Sequence, residues 1–239
     1  MGGAGLGCAL LASVASLIPG AAAAAPRAEV WTFDRLDRIG GHATTIVGHP
    51  RVIRTPLGKA VEFSGADALF VGAHPLAGAE SFTWEVLFNP YKGGNPAQRF
   101  FHLSEQDPRT GADTDNRLLF EIRIIGDGWC LDSFAQSGPA SQALMDRGRL
   151  HPLDAWYHVA MVYDGAEFRN YVDGELEGKA QIHLAPHGRG HASAGVRINK
   201  VDYFKGAIRL ARLSRSALRP DEFLKPPRKP ANFAPPLTK

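Results

Sequence analysis

The segment WYHVAMVYDGAEFRNYVDGELEG, residues 156–178, decides the fold. It contains two short runs of strand-forming residues, 157–163 and 168–172, and the four residues between them form a glycine-containing loop of hairpin length. The Asp173-Gly174 pair that follows tolerates the positive φ angles of a tight turn. The segment therefore predicts consecutive antiparallel strands.

Period-two alternation continues on both sides of this hairpin. In residues 82–88, for example, Phe82 and Trp84 share one strand face while Thr83 and Glu85 share the other. Further strands are predicted over residues 117–124, 196–201 and 207–213. Many short strands at hairpin spacing, separated by Gly, Pro, Asn and Asp, predict an all-β fold in which one sheet packs on another.

Two longer loops, 105–116 and 184–194, interrupt the predicted strands. Loops of this size on a rigid sandwich are common places for ligand contacts. Residues 220–223 predict one short C-terminal helix, and residues 226–239 read as an extended, proline-rich tail. The sequence before this tail shows no internal repeat and no domain boundary.

The composition excludes several classes of protein. The chain has 239 residues, 44% of them hydrophobic and 21% charged, so it can bury a full core and is neither disordered nor collagenous. Its two cysteines, Cys8 and Cys130, include one in a segment predicted to be removed. A disulfide-stapled scaffold and a CxxC zinc site are therefore both excluded.

Residues 1–25 contain no charged side chain, and a short apolar run in them ends at Pro19-Gly20 and five alanines. This pattern predicts a secretory signal peptide cleaved near Ala24 or Ala25, and hence a secreted or periplasmic protein with no integral membrane span after cleavage. The alternative is an uncleaved anchor, because the segment lacks the Lys or Arg usual before the apolar run.

Three ordered segments resemble the laminin G-like, concanavalin A-like lectin/glucanase jelly-roll domains of secreted bacterial proteins. Residues 58–90 are similar to the opening strands of that family, residues 156–178 to its central hairpin, and residues 196–223 to its closing strands and short helix. The resemblance implies a two-sheet antiparallel jelly-roll β-sandwich over residues 26–225. It also implies a carbohydrate-binding or protein-binding module.

Some members of this family hold structural calcium. The resemblance therefore leaves calcium binding by this chain as a possibility. Where the closing strand of the family usually reads Gly-x-Ile-Asp, this chain has Gly206-Ala207-Ile208-Arg209. A guanidinium does not ligate a cation, so we expect no cofactor at this position.

Polar side chains predicted to lie opposite the core are the candidate ligand contacts. Arg, Asn, Asp and Glu suit pairs of sugar hydroxyls, and an aromatic ring suits the C–H face of a sugar. Tyr91 and Tyr203 are further candidates for that ring. Cross-strand ion pairs on a solvated sheet remain the alternative interpretation of the polar set. The candidates are His102, Glu121, Arg123, Asp132, Arg197, Asn199 and Trp129.

The sequence predicts a glycan-binding, lectin-like function, with two alternatives. One is a glycoside hydrolase or polysaccharide lyase that uses Glu121 or Glu85 with His102. Related glucan hydrolases carry the motif Glu-x-Asp-x-x-Glu, and the nearest match in this chain has only its first carboxylate, Glu121. Hydrolysis needs a second carboxyl group nearby. The other alternative is a protein-adhesion module.

The expected partner is a glycan or polysaccharide, anionic ones included, because positive charge concentrates in residues 197–239 and on an arginine-rich strand face. Nucleic acid is not expected as a partner. No metal site is expected either. His183, His187 and His191 lie in a loop where a spacing of four has no helical meaning, and residues 113–116 carry calcium-type oxygens without a loop signature.

Overall fold

The computed structural model describes residues 1–3 and 28–228, together with the backbone of residues 237–238. Nearly all of the predicted signal peptide and most of the predicted proline-rich tail therefore lie outside the described residues. No helical segment within the described ranges has the length and hydrophobicity that crossing a bilayer requires.

Short β-strands make up most of the described chain, which confirms the all-β prediction. The strands are β1 (Glu29–Thr32), β2 (Arg38–Ile39), β3 (His42–Val47), β4 (Arg51–Thr55), β5 (Gly58–Ser64), β6 (Ala68–Val71), β7 (Phe82–Pro90), β8 (Ala97–Gln106), β9 (Asp113–Ile125), β10 (Gly128–Ser137), β11 (Ala140–Met145), β12 (Arg149–Pro152), β13 (Tyr157–Tyr163), β14 (Glu167–Val172), β15 (Glu175–Gln181), β16 (Gly190–Ala194), β17 (Lys205–Ser214) and β18 (Leu237–Thr238).

These strands form two antiparallel sheets. Sheet I has the order β15-β14-β13-β7-β17-β5-β4, with β1 also paired to β17. Sheet II has the order β18-β12-β10-β9-β8-β16-β6-β3-β2, with β11 also paired to β10. The strand order crosses repeatedly between distant parts of the chain, and the two sheets form the predicted sandwich of jelly-roll type.

An aromatic core fills the space between the sheets. Trp84 and Phe88 of sheet I and Phe100, Phe120 and Trp129 of sheet II are all fully buried. The ring centroids of Phe88 and Phe100 lie 4.3 Å apart with nearly parallel planes, and those of Phe100 and Phe120 lie 5.4 Å apart. Each sheet thus has an inner face in the core and an outer face, and the outer faces are where polar chemistry can lie.

The hairpin that decides the fold has the predicted form. β13 and β14 pair from Val159 opposite Val172 to Tyr163 opposite Phe168. In the next turn Asp173 has φ of 49° and Gly174 has φ of 89°. These are the positive φ angles that the Asp-Gly pair predicted.

Several local predictions were wrong. Residues 196–201 do not form a strand: they belong to a loop over 195–204, which we call the 195–204 loop, in which Lys200 and Asp202 have positive φ. Both long loops are shorter than predicted, because β8 and β9 extend into the first and β16 forms inside the second. By contrast, the predicted short C-terminal helix is confirmed, as a single 3-10 turn over Pro220–Glu222.

Candidate functional site

A polar recess of about 170 Å³ lies on the outer face of sheet II. Its floor consists of outward-pointing side chains of β8, β9 and β10, one wall is β11, and the other is the 195–204 loop. Four of its lining residues are arginines and two are acidic. The recess is lined by Arg99, Arg117, Leu119, Glu121, Arg123, Asp132, Phe134, Ala143 and Arg197.

A chain of ion pairs crosses this recess. Glu121 and Asp132 lie directly opposite each other on neighbouring strands, and Arg123 binds both: its Nη2 is 3.0 Å from Glu121 Oε2 and 2.6 Å from Asp132 Oδ2. Arg99 extends the chain on the other side, with its Nε 3.0 Å from Glu121 Oε1 and its Nη1 paired with Asp202. The contact of Arg99 Nε with Glu121 is an ion pair without hydrogen-bond geometry.

Glu121 is almost completely enclosed in the recess, with only 5% of its surface exposed. Burial raises the pKa of Glu121 above its usual range; Asp132 adds to this effect, and the positive charges of Arg99 and Arg123 offset only part of it. The predicted contacts Glu121, Arg123 and Asp132 are therefore brought together, in a network that holds their side chains in fixed positions.

Arg117 and Arg197 lie in the same recess outside this chain of ion pairs. The Arg117 guanidinium carbon is 4.8 Å from the centre of the Phe134 ring, and Arg117 Nη1 donates to the carbonyl of Asp115. Arg197 projects from the 195–204 loop and makes no ion pair with any residue that the structure describes. The predicted contact Arg197 thus lines the recess.

His102 and Asn199 are not lining residues. His102 is on the outer face of sheet II, 3% exposed, and its Nδ1 accepts the backbone N–H of Ile198 at 3.0 Å. Its role is to anchor the 195–204 loop. Burial, reinforced by the charges of Arg197 and Arg117, keeps the pKa of His102 well below its usual value. Asn199 lies in the turn of the same loop, exposed to solvent.

Trp129 does not offer a sugar-stacking face, which corrects the sequence prediction. Its side chain points inward and is fully buried, with its ring centroid 5.2 Å from Phe88 and 5.0 Å from Tyr157. Neither Tyr91 nor Tyr203 lines the recess. The aromatic ring that does line it is Phe134.

Glu85 cannot act together with Glu121, because the two side chains lie on outer faces of different sheets. Glu85 is on β7 of sheet I, where it is fully buried under the C-terminal segment. It accepts hydrogen bonds from Arg212 Nε, from His158 Nε2 at 3.0 Å and from the backbone N–H of Leu224 at 2.7 Å. Its environment is that of a structural anchor, so the version of the enzyme alternative in which Glu85 acts with His102 is wrong, because His102 lies on sheet II.

Sequence reasoning missed Arg99, which was not a candidate. A β-bulge between Arg99 and Phe101 shifts the alternation of β8, so Arg99 points into the recess. Gln98, the residue before Arg99, points the opposite way: it is fully buried and forms hydrogen bonds with the Asn95 carbonyl and the Lys205 N–H. Leu119, on the predicted outer face of β9, also lines the recess.

The other polar motifs serve the fold. His183 is exposed, His187 is buried against His74, and His191 pairs with Asp113. Among the described residues, no group of three or more His, Cys, Asp or Glu side chains is placed so that it could hold a metal ion. Arg209, at the position where the family carries a calcium ligand, donates its Nε–H to the carbonyl of Leu57 and does not suit a cation.

A family model described as the concanavalin A-like lectin/glucanases superfamily matches residues 63–223. The search of curated proteins gave no match.

Solved structures with a similar fold include domain 4 of AbnA, a GH43 extracellular arabinanase from Geobacillus stearothermophilus, in complex with arabinotriose. It is 19% identical with a TM-score of 0.57, over 83% of this chain and 97% of that chain. The CBM40 of the Ruminococcus gnavus IT-sialidase bound to alpha2,3 sialyllactose is 16% identical with a TM-score of 0.52, over 68% of this chain and 93% of that chain. The binding domain of Botulinum Neurotoxin DC in complex with SialylT is 12% identical with a TM-score of 0.55; the match covers 82% of this chain and 49% of that chain.

Proposed function

Because the chain belongs to the concanavalin A-like lectin/glucanase superfamily, we propose that it is a glycan-binding module that holds its ligand in the recess on sheet II. Membership confirms the resemblance found in the three sequence segments. The observation that carries the proposal is the convergence of Glu121, Arg123 and Asp132 in one open recess.

The chemistry of this recess suits a sugar. Planar groups with several donors or acceptors, such as the guanidinium of Arg123 and the carboxylate of Asp132, bind adjacent hydroxyls in pairs. Leu119 and Phe134 add apolar surface for the C–H side of a ring. The AbnA domain and the CBM40, which share the fold, were solved with arabinotriose and with sialyllactose, and this supports the proposal.

The balance of charge in the recess favours an anionic glycan. Four guanidinium groups face two carboxylates, and the surrounding protein excludes part of the screening water. A ligand that brings a negative charge therefore gains electrostatic attraction that a neutral ligand of the same shape lacks.

The same geometry favours binding over cleavage. A hydrolase needs two carboxyl groups on either side of the glycosidic bond, about 5 Å apart for retention or about 6.5 to 9.5 Å for inversion. Here Glu121 and Asp132 are the two carboxylates of the recess, and Arg123 Nη2 lies between them in contact with both. The space that a scissile bond would need is occupied by a guanidinium.

A glycan array combined with a product assay tests the proposal. We expect binding to at least one glycan without release of reducing ends or unsaturated products. Product release would instead indicate the hydrolase or lyase alternative, and absence of both binding and products would favour protein adhesion.

Filling the recess should weaken ligand binding strongly. Ala143 lies exposed on β11 at the wall of the recess, so Ala143→Trp places an indole in the ligand's space without disturbing the core. We expect affinity for the best array ligand to fall about tenfold or more, as measured by isothermal titration calorimetry. The matched control Ala43→Trp, at an exposed position of β3, should bind like the wild type. Equal affinity in all three proteins would remove the recess as the binding site.

We further propose that this activity takes place outside the cytoplasm, as a secreted or periplasmic protein. The support is the uncharged, apolar and alanine-rich sequence of residues 1–25. Sequencing the N-terminus of the exported protein tests it, with cleavage after Ala24 or Ala25 expected.

A further inference from the structure

Resting on the glycan-binding function, we propose that Arg117 and Arg197 together bind the acidic group, a carboxylate or a sulfate, of one sugar residue of the glycan. Both guanidinium groups line the recess, one from β9 and one from the 195–204 loop. They differ from the other two arginines of the recess in what surrounds them.

Arg99 and Arg123 are neutralised by protein carboxylates, whereas Arg117 and Arg197 are not. The ion pair of Arg117 among the described residues is with Asp115 at 3.9 Å, and the Asp115 side chain is 89% exposed, so water screens its charge. Arg197 has no such partner in the described part of the chain. The recess therefore carries two positive charges that the protein leaves without an effective counter-charge.

The surroundings of Arg117 disfavour its positive charge. Its Nε is buried and has no hydrogen-bond acceptor among the described residues. Burial, together with the charge of Arg197, lowers the pKa of Arg117 from its usual value. An anionic group bound by both arginines would relieve the repulsion between them, and hydrogen bonds from a guanidinium to an anion are among the strong ones.

The Arg117 side chain and the backbone of Arg197 are held in place before any ligand arrives. The Arg117 guanidinium packs over the Phe134 ring, a cation–π contact that fixes its plane. The backbone that carries Arg197 is fixed by hydrogen bonds from Lys200 N to Arg197 O at 2.8 Å and from Ile198 N to His102 Nδ1 at 3.0 Å. Because these parts are already fixed, less conformational entropy is lost when the two arginines bind an anion.

The rest of the recess limits how much negative charge the ligand can bring. Glu121 and Asp132 lie beside Arg123, so a second acidic group placed there would meet two carboxylates. The site therefore suits a glycan segment with one acidic group next to hydroxyl-bearing rings, and disfavours a densely sulfated polyanion.

The test uses the full chain and an array of neutral, uronate-bearing and sulfated oligosaccharides. The strongest binder is then measured again after its carboxylates are reduced to alcohols, or after its sulfates are removed, which separates the two sources of negative charge. We expect an acidic glycan to bind best and to lose about tenfold or more in affinity when neutralised.

Two variants locate the acidic group. Arg197→Gln and Arg117→Gln should each weaken binding of the acidic glycan by about tenfold and leave affinity for its neutralised form unchanged. Arg54→Gln, at an exposed position of β4 in the other sheet, removes the same net charge and should have no effect. Arg117→Gln could lower the melting temperature, because Arg117 packs on Phe134. Arg197→Gln then still tests the proposal, because the Arg197 side chain makes no hydrogen bond or ion pair with the described residues.

The outcomes separate this inference from the glycan-binding proposal. If a neutral glycan binds best and Ala143→Trp blocks it, the glycan site stands and the acidic subsite does not. If Arg54→Gln matches the loss of the two recess variants, only net charge matters and the subsite is refuted. If no glycan binds, the glycan-binding proposal is lost and the subsite with it.

Discussion

Replacing Glu85 with Ala is expected to lower the free energy of unfolding by about 3–5 kcal/mol, although Glu85 lies far from the proposed ligand site. The Glu85 carboxylate is fully buried and has three donors: Arg212, His158 and the backbone N–H of Leu224. Without it, a buried imidazole and an amide lose their acceptor, and the guanidinium of Arg212 loses its counter-charge.

The pKa of Glu85 reflects the same balance. Burial alone would raise it, but the hydrogen bonds of His158 and Arg212 outweigh burial and hold the pKa below its usual value. Glu85→Gln should therefore destabilise as well, because the amide of Gln brings a donor to a position surrounded by donors. Urea unfolding measures both effects.

The contact with Leu224 makes a second readout available. Phe223, next to it, packs on Ala160 and Tyr171 of sheet I, so loss of the anchor should free the C-terminal segment. Amide hydrogen exchange at Leu224 should accelerate in Glu85→Ala. The control Glu62→Ala removes a carboxylate paired with the exposed Arg51 and should cost about 1 kcal/mol or less. Equal losses in the two variants would contradict the role assigned to Glu85.

Alternation along each strand was enough to predict the sandwich and most of the outer faces. Residues 118, 120 and 122 point inward and residues 117, 119, 121 and 123 outward, as the pattern of β9 indicates. These features are local, because the side chain of a strand residue is fixed by its position in the pleat.

What alternation cannot provide is the sheet to which a strand belongs. Glu85 and Glu121 both point away from the core, but pairing of β7 with β13 and β17 places Glu85 on sheet I. Strand order depends on contacts between residues far apart in sequence. The bulge at Arg99 is a second feature that alternation does not provide, because one extra residue reverses the faces on which the preceding residues of the strand lie.

Acidification from pH 7 towards pH 5 is expected to destabilise the folded protein by several kcal/mol, mainly through three buried histidines. Burial lowers the pKa of His74 to about 3, with His187 adding to the shift. Burial likewise lowers the pKa of His102, with Arg197 adding to the shift, and of His187, where the hydrogen bond to the Gln136 carbonyl opposes it.

The sign follows from where the protons bind. In the unfolded chain each histidine takes up a proton below about pH 6.5, whereas in the folded protein it stays neutral until the pH reaches its lowered pKa. Stability therefore falls as the pH drops below about 6.5, by up to about 1.4 kcal/mol per pH unit for each histidine. For His74 this continues down to about pH 3.

Carboxylates act in a different window. Glu85, with its lowered pKa, contributes stability that is lost only as the pH falls below its unfolded value near 4.5. Burial raises the pKa of Glu121, so protonation of Glu121 offsets a small part of the acid loss. Between pH 6.5 and pH 5 the histidines therefore dominate.

The double variant His74→Gln/His187→Gln isolates this effect. His187 Nδ1 lies 3.4 Å from His74 Nε2, and its Nε2 donates to the carbonyl of Gln136, so the variant loses some stability at pH 7. Its stability should nevertheless depend less on pH, by up to about 2.7 kcal/mol per pH unit below pH 6.5, because two titrating groups are gone.

The control His183→Gln removes an exposed histidine from the loop that carries His187 and should keep the wild-type slope. Urea unfolding at half-unit steps from pH 7.5 to pH 5 gives these slopes. If the double variant and the wild type lose stability in parallel, buried histidines are not the cause of the acid sensitivity.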